Sequence, residues 1–383
     1  MFNFLYFAFM MLFPFYFSSS GQPQISHIIL IIIFGFVFLL MFPKFFNTIR
    51  ENKIVMVFML YIIYVNTSWL ILTYNSSFIT YTLFYLFNIL LFYTTYMLYS
   101  ENLIDVKTIR LSIFFTLLLQ FGFLLSSGLN FNTRNMLFFN NPNQLGYFAI
   151  AVINIYFILG VNQPQNIKRD MIDIVQNIMV YSFAFILLLF SSSKASLVSY
   201  VIIVMFILYI ELIQRFSYWK LFISSLITLV LVAFIFINMQ TIIKFSENTE
   251  LFNRTANVGT ESDDSLAGRG YDRIIQYQEY TILGAGEGDF ERFPLSHHKG
   301  ELHSTIANIF FSYGLVGFFI FILIFTNSKQ FYIRRILFYM SPILIYGLSH
   351  NGIRSPLFWI ALALSLVYSK KENNNVQIIT RTN

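Results

Sequence analysis

The sequence predicts an all-α polytopic membrane protein, and three observations carry that prediction. Only 11% of the 383 residues are charged, where a soluble domain carries about 25%. Hydrophobic residues make up 57% and aromatic residues 20%, with 48 Phe against 18 Asp plus Glu. The apolar residues fall into runs of about 18–24, the length that crosses roughly 30 Å of hydrocarbon as a helix. A water-soluble fold could not cover its surface with so few charges. A transmembrane β-barrel would show shorter segments of strict polar alternation.

Taken in order, twelve spans are expected at 1–18, 25–42, 54–73, 78–98, 108–126, 144–160, 174–191, 195–214, 220–239, 303–326, 335–349 and 352–369. The first has neither a basic n-region nor a small-residue cleavage site, so it is expected to remain as an uncleaved helix. The chain thus divides into a nine-helix region over 1–239, a large extracytoplasmic loop over 240–302, three C-terminal helices over 303–369 and a cytoplasmic tail over 370–383.

Basic residues orient these spans, because cytoplasmic connectors collect Lys and Arg. With the N-terminus inside, the inner segments hold 15 of the 24 basic residues, from Lys44 and Arg50 through Arg334 and Arg335 to Lys370 and Lys371. Every inner connector and the tail carry at least two of them. The expected topology is N-in and C-in. The net charge of +6 is therefore a topology signal, and no nucleic-acid partner is implied. Zero Cys excludes disulfides, thiolate metal sites and Cys nucleophiles.

Two features interrupt the helices. The segment 240–302 holds all 11 outer acids and six of the nine outer basic residues, and a connector this long is usually functional or disordered. Within it, Tyr271–Leu283 spaces Ile274, Ile275, Tyr277, Tyr280 and Ile282 as on a helix, so an amphipathic helix on the outer membrane face is expected near 271–283. The second feature is a set of outer cations beyond this loop: Arg134, Lys194 and Arg354.

A charge at a membrane boundary is costly unless it is paired or faces water, so each outer cation is a site candidate. Each could also snorkel to lipid head groups or pair with a loop acid. Arg134, Lys194 and Arg354, with Arg269 and Arg273 from the loop, form five cations on a face otherwise poor in them. Together they suggest an anion site, most naturally for a phosphate or diphosphate. His303 follows the loop directly, with Glu301 two residues before it. It is placed to act as a general base or to donate a hydrogen bond to a phosphate oxygen, with Glu301 as the alternative base. The pair His297-His298 lacks a third metal ligand at helical spacing, and no metal is expected. Asp263-Asp264 reads as a solvated turn. No P-loop is present, and Gly284-Ala285-Gly286-Glu287-Gly288 has the wrong spacing for a dinucleotide fingerprint, so no cofactor is expected. The spans hold almost no acids apart from Glu211, which weighs against an ion-driven transporter.

Four stretches together resemble the O-antigen polymerase and O-antigen ligase superfamily of bacterial envelope glycosyltransferases. Asn141-Pro142-Asn143-Gln144-Leu145-Gly146 resembles the family's Asn-Pro-Asn-x-x-Gly. Ser193-Lys194-Ala195-Ser196 resembles its Ser-Arg-x-x, with Lys where many members have Arg. Gly268-Arg269-Gly270 followed by Leu283-Gly284-Ala285-Gly286 resembles the loop's Gly-Arg and Leu-Gly-x-Gly elements. His303 with Gly314-Leu315-Val316-Gly317 resembles the His-Asn … Gly-Leu-x-Gly signature, with Ser304 where Asn often follows the His. The resemblance covers roughly Gly128–Phe321, and the flanking helices match only in number and topology.

The resemblance implies a GT-C-like helical bundle in the bacterial inner membrane with catalysis on the periplasmic side. It implies a glycan donor on undecaprenyl diphosphate and, as acceptor, a sugar hydroxyl of another lipid-linked repeat unit. Membrane lipid and a chain-length regulator are implied partners. On this reading Lys194, Arg269 and Arg354 bind the diphosphate, with Arg134 and Arg273 as helpers, and His303 or Glu301 is catalytic. A polymerase is the reading favoured. A ligase that transfers the finished chain to lipid A-core shares the same motifs. A flippase that moves the lipid-linked unit without chemistry would more naturally show two similar halves with short loops.

Overall fold

The computed structural model describes residues 1–18, 24–130, 133–161, 171–214, 267–297, 300–326 and 330–382. All regular structure among them is helical: α1 (Phe2–Leu12), α2 (Ile25–Glu51), α3 (Lys53–Thr73), α4 (Ser77–Ser100), α5 (Val106–Ser126), α6 (Pro142–Val161), α7 (Met171–Ser191), α8 (Lys194–Gln214), the short α9 (Asp272–Gln276), α10 (Thr305–Thr326), α11 (Gln330–Ser349) and α12 (Pro356–Thr382). Seven of these, α2 to α7 and α10, are long and apolar enough to cross a bilayer. Shorter apolar helical stretches are Phe2–Leu12, Lys194–Ile210 and Pro356–Lys370. Among the described residues the fold is all-helical, and the number of such helices makes this a multi-pass membrane protein. The first expected span is an 11-residue helix, α1. The ninth expected span, 220–239, the loop up to residue 266, and with it Asp263-Asp264, lie outside the described residues, as does His298.

Two helices form the centre. Every residue of α6 from Leu145 to Leu159 is buried, and so is the apolar stretch Leu357–Leu364 of α12. A helix apolar on all sides buries itself among other helices; α6 touches α5, α7, α8, α11 and α12, while α12 packs on α4, α6 and α11. Lipid offers no hydrophobic drive toward a particular neighbour, so polar contacts help fix the partners. Asn154 Nδ2 of α6 donates to the Tyr339 carbonyl of α11 at 3.0 Å. Asn66 Nδ2 of α3 donates to Thr82 Oγ1 of α4 at 2.9 Å. Contacts of this kind average about 0.6 kcal/mol in a bilayer.

Ion pairs mark one end of the bundle: Lys44 with Glu101, and Lys370 with Glu51 at 2.7 Å. The opposite end gathers the connectors around 133–141, 191–193 and 350–355 and the loop residues 267–297 and 300–304. In α2 the helix bends at Met41 (φ −135°, ψ 29°), two residues before Pro43, whose ring and missing N–H disrupt the preceding turn.

The loop is stitched into a broken helix. Gly314 adopts φ 63° and ψ −172° inside α10, which interrupts the hydrogen-bond ladder on both sides. Buried backbone groups left without partners are costly at membrane depth, and the loop supplies them. Leu315 N–H donates to the Thr281 carbonyl at 2.7 Å, and Val316 N–H to that of Ile282 at 3.3 Å. In the other direction, Ala285 N–H donates to the Phe311 carbonyl at 3.0 Å and Gly286 N–H to that of Ser312 at 2.8 Å. A Cβ at Gly314 would sit 2.2 Å from the Ile282 carbonyl oxygen, so only glycine combines this φ with this approach.

That stitching bears on the segment 271–283. It forms the five-residue α9 and a 3-10 turn at Gln278–Tyr280, because the backbone from Thr281 onward is committed to α10. Ile274, Tyr277 and Tyr280 pack on a small cluster of Ala285, Phe293, Leu302 and Phe311, while Ile275 and Ile282 are exposed.

Candidate active site

The loop end of the bundle carries two polar clusters that meet at Glu301-Leu302-His303. The first is built from cations. Arg134, in the connector before α6, donates from Nη2 to Asn143 Oδ1 at 2.6 Å and from Nε to the Ser191 carbonyl at 3.2 Å. The Tyr346 hydroxyl of α11 donates to the Asn143 carbonyl at 3.1 Å. Arg269 donates from Nη1 to the Ser349 carbonyl, one turn beyond Tyr346, at 2.6 Å. Arg134 thus reaches Tyr346 through Asn143, and Arg269 meets the same end of α11 at Ser349; the Tyr346 ring lies against His350 with centroids 4.9 Å apart.

His303 is exposed and sits just before α10. Its N–H donates to the Arg269 carbonyl at 3.4 Å. Two residues on, the Thr305 N–H and hydroxyl both donate to the His350 carbonyl, at 3.3 and 3.1 Å. Loop and helix end are thereby tied at the histidine. Lys194 is half-buried and opens α8 after a turn in which Ser192 takes the left-handed φ of 49°. That turn packs on α6 at Gly146, where a Cβ would fall 2.6 Å from Ser196 Oγ. The Asn-Pro-Asn-x-x-Gly and Ser-Lys stretches are therefore neighbours, and Arg134 bridges them.

The second cluster is acidic. Glu287 is fully buried, and its Oε2 accepts the Tyr85 and Tyr313 hydroxyls at 2.9 and 3.2 Å. Its own N–H donates to Asn66 Oδ1 at 2.9 Å. Glu287 Oε1 lies 3.5 Å from Arg354 Nε, and Arg354 is also ion-paired with Glu301. The Arg354 guanidinium lies 5.2 Å over the Tyr81 ring. Burial pushes the Glu287 carboxyl above the usual carboxylate range, with Arg354 opposing. Burial alone would lower Arg354, but the Glu301 and Glu287 carboxylates outweigh it and hold the guanidinium firmly charged.

Arg273 belongs to neither cluster. It is 1% exposed, its guanidinium lies 4.9 Å from the Phe293 ring centroid, and it donates to the Gly300 carbonyl at 2.8 Å. Burial lowers its pKa to about 10. Arg292 plays a similar part nearby, over Trp69 at 4.6 Å and donating to the Ala285 carbonyl at 2.6 Å. Both hold the loop's interior together.

Residues 179–322 match the family model Wzy_C, described as O-antigen ligase. Over that stretch, somewhat more than a third of the chain, the sequence is similar to the O-antigen ligase family. No curated protein matches the chain. The matched stretch contains Lys194, Arg269, Glu287, Glu301, His303 and the Gly314 break. Arg134, Tyr346, His350 and Arg354 lie outside it, and the fold brings Arg134, His350 and Arg354 into contact with it.

Of the residues singled out from sequence, the fold joins Arg134, Arg269 and His303, keeps Lys194 on the adjoining hairpin, and pairs Arg354 with Glu301. Glu287, Tyr85, Tyr313 and Tyr346 are additions. Glu287 had a readable signal: it is an acid between glycines in a loop flanked by apolar residues. Spacing alone, read against nucleotide motifs, did not reveal it.

Proposed function

We propose that this chain transfers a glycan from undecaprenyl diphosphate to a sugar hydroxyl of a second lipid-linked repeat unit, as an O-antigen polymerase-type glycosyltransferase on the periplasmic face of the bacterial inner membrane. The observation that supports this reading is that Arg134, through Asn143, and Arg269, through Ser349, both reach the Tyr346–Ser349 turn of α11, with His303 tied to Arg269 through its backbone.

The chemistry follows from the charges. The acceptor oxygen attacks the anomeric carbon, the bond from that carbon to the diphosphate oxygen breaks, and the lipid diphosphate leaves with its electron pair. Negative charge grows on the leaving group, so preorganised cations lower the barrier. Arg134 and Arg269 offer planar forks suited to phosphate oxygens, and Lys194 adds a point charge. His303, exposed at the junction of loop and α10, takes the acceptor's proton or supports the leaving oxygen. The donor's own phosphoester bond supplies the energy. Arg273 is assigned to holding the loop, because its guanidinium is enclosed by rings.

A ligase is the second reading, favoured by the description of the matched family; it differs in taking lipid A-core as acceptor. Deletion of the gene in its host, followed by a gel of surface polysaccharide, separates the two. A polymerase leaves single-repeat caps, and a ligase leaves long chains that fail to reach the lipid core. Unaltered surface polysaccharide would overturn both.

A further inference from the structure

We infer that the cluster of Glu287, Arg354 and Glu301 is a sugar-binding half-site, separate from the diphosphate half, in which Glu287 is a positioning residue acting through Arg354. The inference rests on the glycan-transfer reading above and deepens it.

Charge is the first argument. Two carboxylates flank one guanidinium, so a diphosphate arriving here would meet net negative charge. A neutral polyol meets no such penalty. Arg354 was grouped by sequence with the diphosphate cations, yet its charge is already matched by Glu287 and Glu301.

Layering is the second. Glu287 lies at the back, fully buried, anchored by Tyr85 and Tyr313. Arg354 is in the middle, with its side chain 20% exposed, and Glu301 is at the front with 34%. The buried acid thus fixes the guanidinium, and the guanidinium fixes the accessible carboxylate. Beside it stand half-buried rings: Tyr81 under Arg354, and Phe290 edge-on to Tyr81 with centroids 5.6 Å apart. An accessible carboxylate beside aromatic faces suits sugar hydroxyls and the apolar C–H face of a sugar ring.

Orphaned polar atoms are the third. Both side-chain amide atoms of Asn351, three residues before Arg354, are buried without a hydrogen-bond partner. Such atoms cost about 1–3 kcal/mol each, and a hydroxylated ligand with its waters both donates and accepts. Glu301 and His303 are two residues apart, so a sugar hydroxyl held by Glu301 is delivered to the cation cluster.

The test uses two probes on the full chain in detergent, read by native mass spectrometry. One is undecaprenyl diphosphate without sugar; the other is the host's repeat-unit glycan released from its lipid. Glu301→Gln and Tyr81→Ala, both at the accessible rim, are expected to weaken glycan binding at least about tenfold and to keep diphosphate binding within about twofold. Arg269→Ala is expected to do the reverse. Glu287→Gln, which still accepts the tyrosine hydroxyls, should follow Glu301→Gln; a purely structural role would weaken both probes together. Glycan binding that survives Glu301→Gln and Tyr81→Ala would overturn the inference, as would loss of diphosphate binding in those variants. Failure of the unsubstituted protein to bind undecaprenyl diphosphate would instead overturn the reading beneath it, whatever the glycan does.

Discussion

At the residue scale, scarcity of charge made the cations readable, while their partners stayed hidden. Arg269 and Arg134 stood out because so few outer cations exist. That Arg354 would be matched by carboxylates was not readable, since Glu301 is 53 positions away in sequence and only the fold closes that gap. Glu287 carries a stability consequence. Removing its side chain leaves Arg354 paired with Glu301 but strips the buried Tyr85 and Tyr313 hydroxyls of their acceptor, at a cost of about 1–3 kcal/mol for each group left unsatisfied. Glu287→Ala is therefore expected to lower the unfolding temperature in detergent markedly, and Glu287→Gln much less, because Gln retains an acceptor for Tyr85 and Tyr313. Equal melting temperatures for Glu287→Ala and the unsubstituted chain would show that the cluster does not hold the loop.

At the element scale, the central device is the loop paired to the break in α10. Both glycine-containing stretches were visible in the sequence as separate signals. Their mutual hydrogen bonding was not, because backbone pairing between Thr281 and Leu315 leaves no trace in side-chain pattern. The same pairing shortened the amphipathic helix expected near 271–283. Gly314→Ala forces a Cβ onto the Ile282 carbonyl oxygen at an unfavourable φ, and strain of this kind costs about 1–3 kcal/mol or more. It should lower thermal stability and speed amide exchange at Leu315 and Gly286 together. Exchange that changes at only one of the two would contradict their coupling. Loop insertion is also expected to depend on pH. The folded Glu287 carboxyl is raised above its ordinary value of 4.5, so the folded state holds this proton more tightly. Its contribution is complete below that value and is lost as pH rises through the raised one. Amide protection of residues 284–288, corrected for intrinsic exchange, should fall with rising pH across that window, and Glu287→Gln should flatten the dependence.

At the scale of the whole molecule, hydropathy located most helices because span length and apolarity are local properties. It could not say which helices lie at the centre. The runs that became α6 and α12 read like any other lipid-compatible span, and only packing shows that Leu145–Leu159 sees no lipid. The first span read as long because 1–18 is mostly apolar and carries no charged side chain, yet its helix is Phe2–Leu12. Orientation is a separate expectation, and zero Cys makes it simple to test. Glu291→Cys should react with a membrane-impermeant maleimide from outside intact spheroplasts, and Lys370→Cys only after lysis; the opposite pattern would reverse the topology. The most direct test of the account is glycan transfer in proteoliposomes supplied with purified lipid-linked repeat units. The unsubstituted chain is predicted to lengthen the glycan and release undecaprenyl diphosphate, and Arg269→Ala and His303→Ala each to slow this by about 100-fold or more. Unchanged polymer yield from both variants, or no lengthening by the unsubstituted chain, would contradict it.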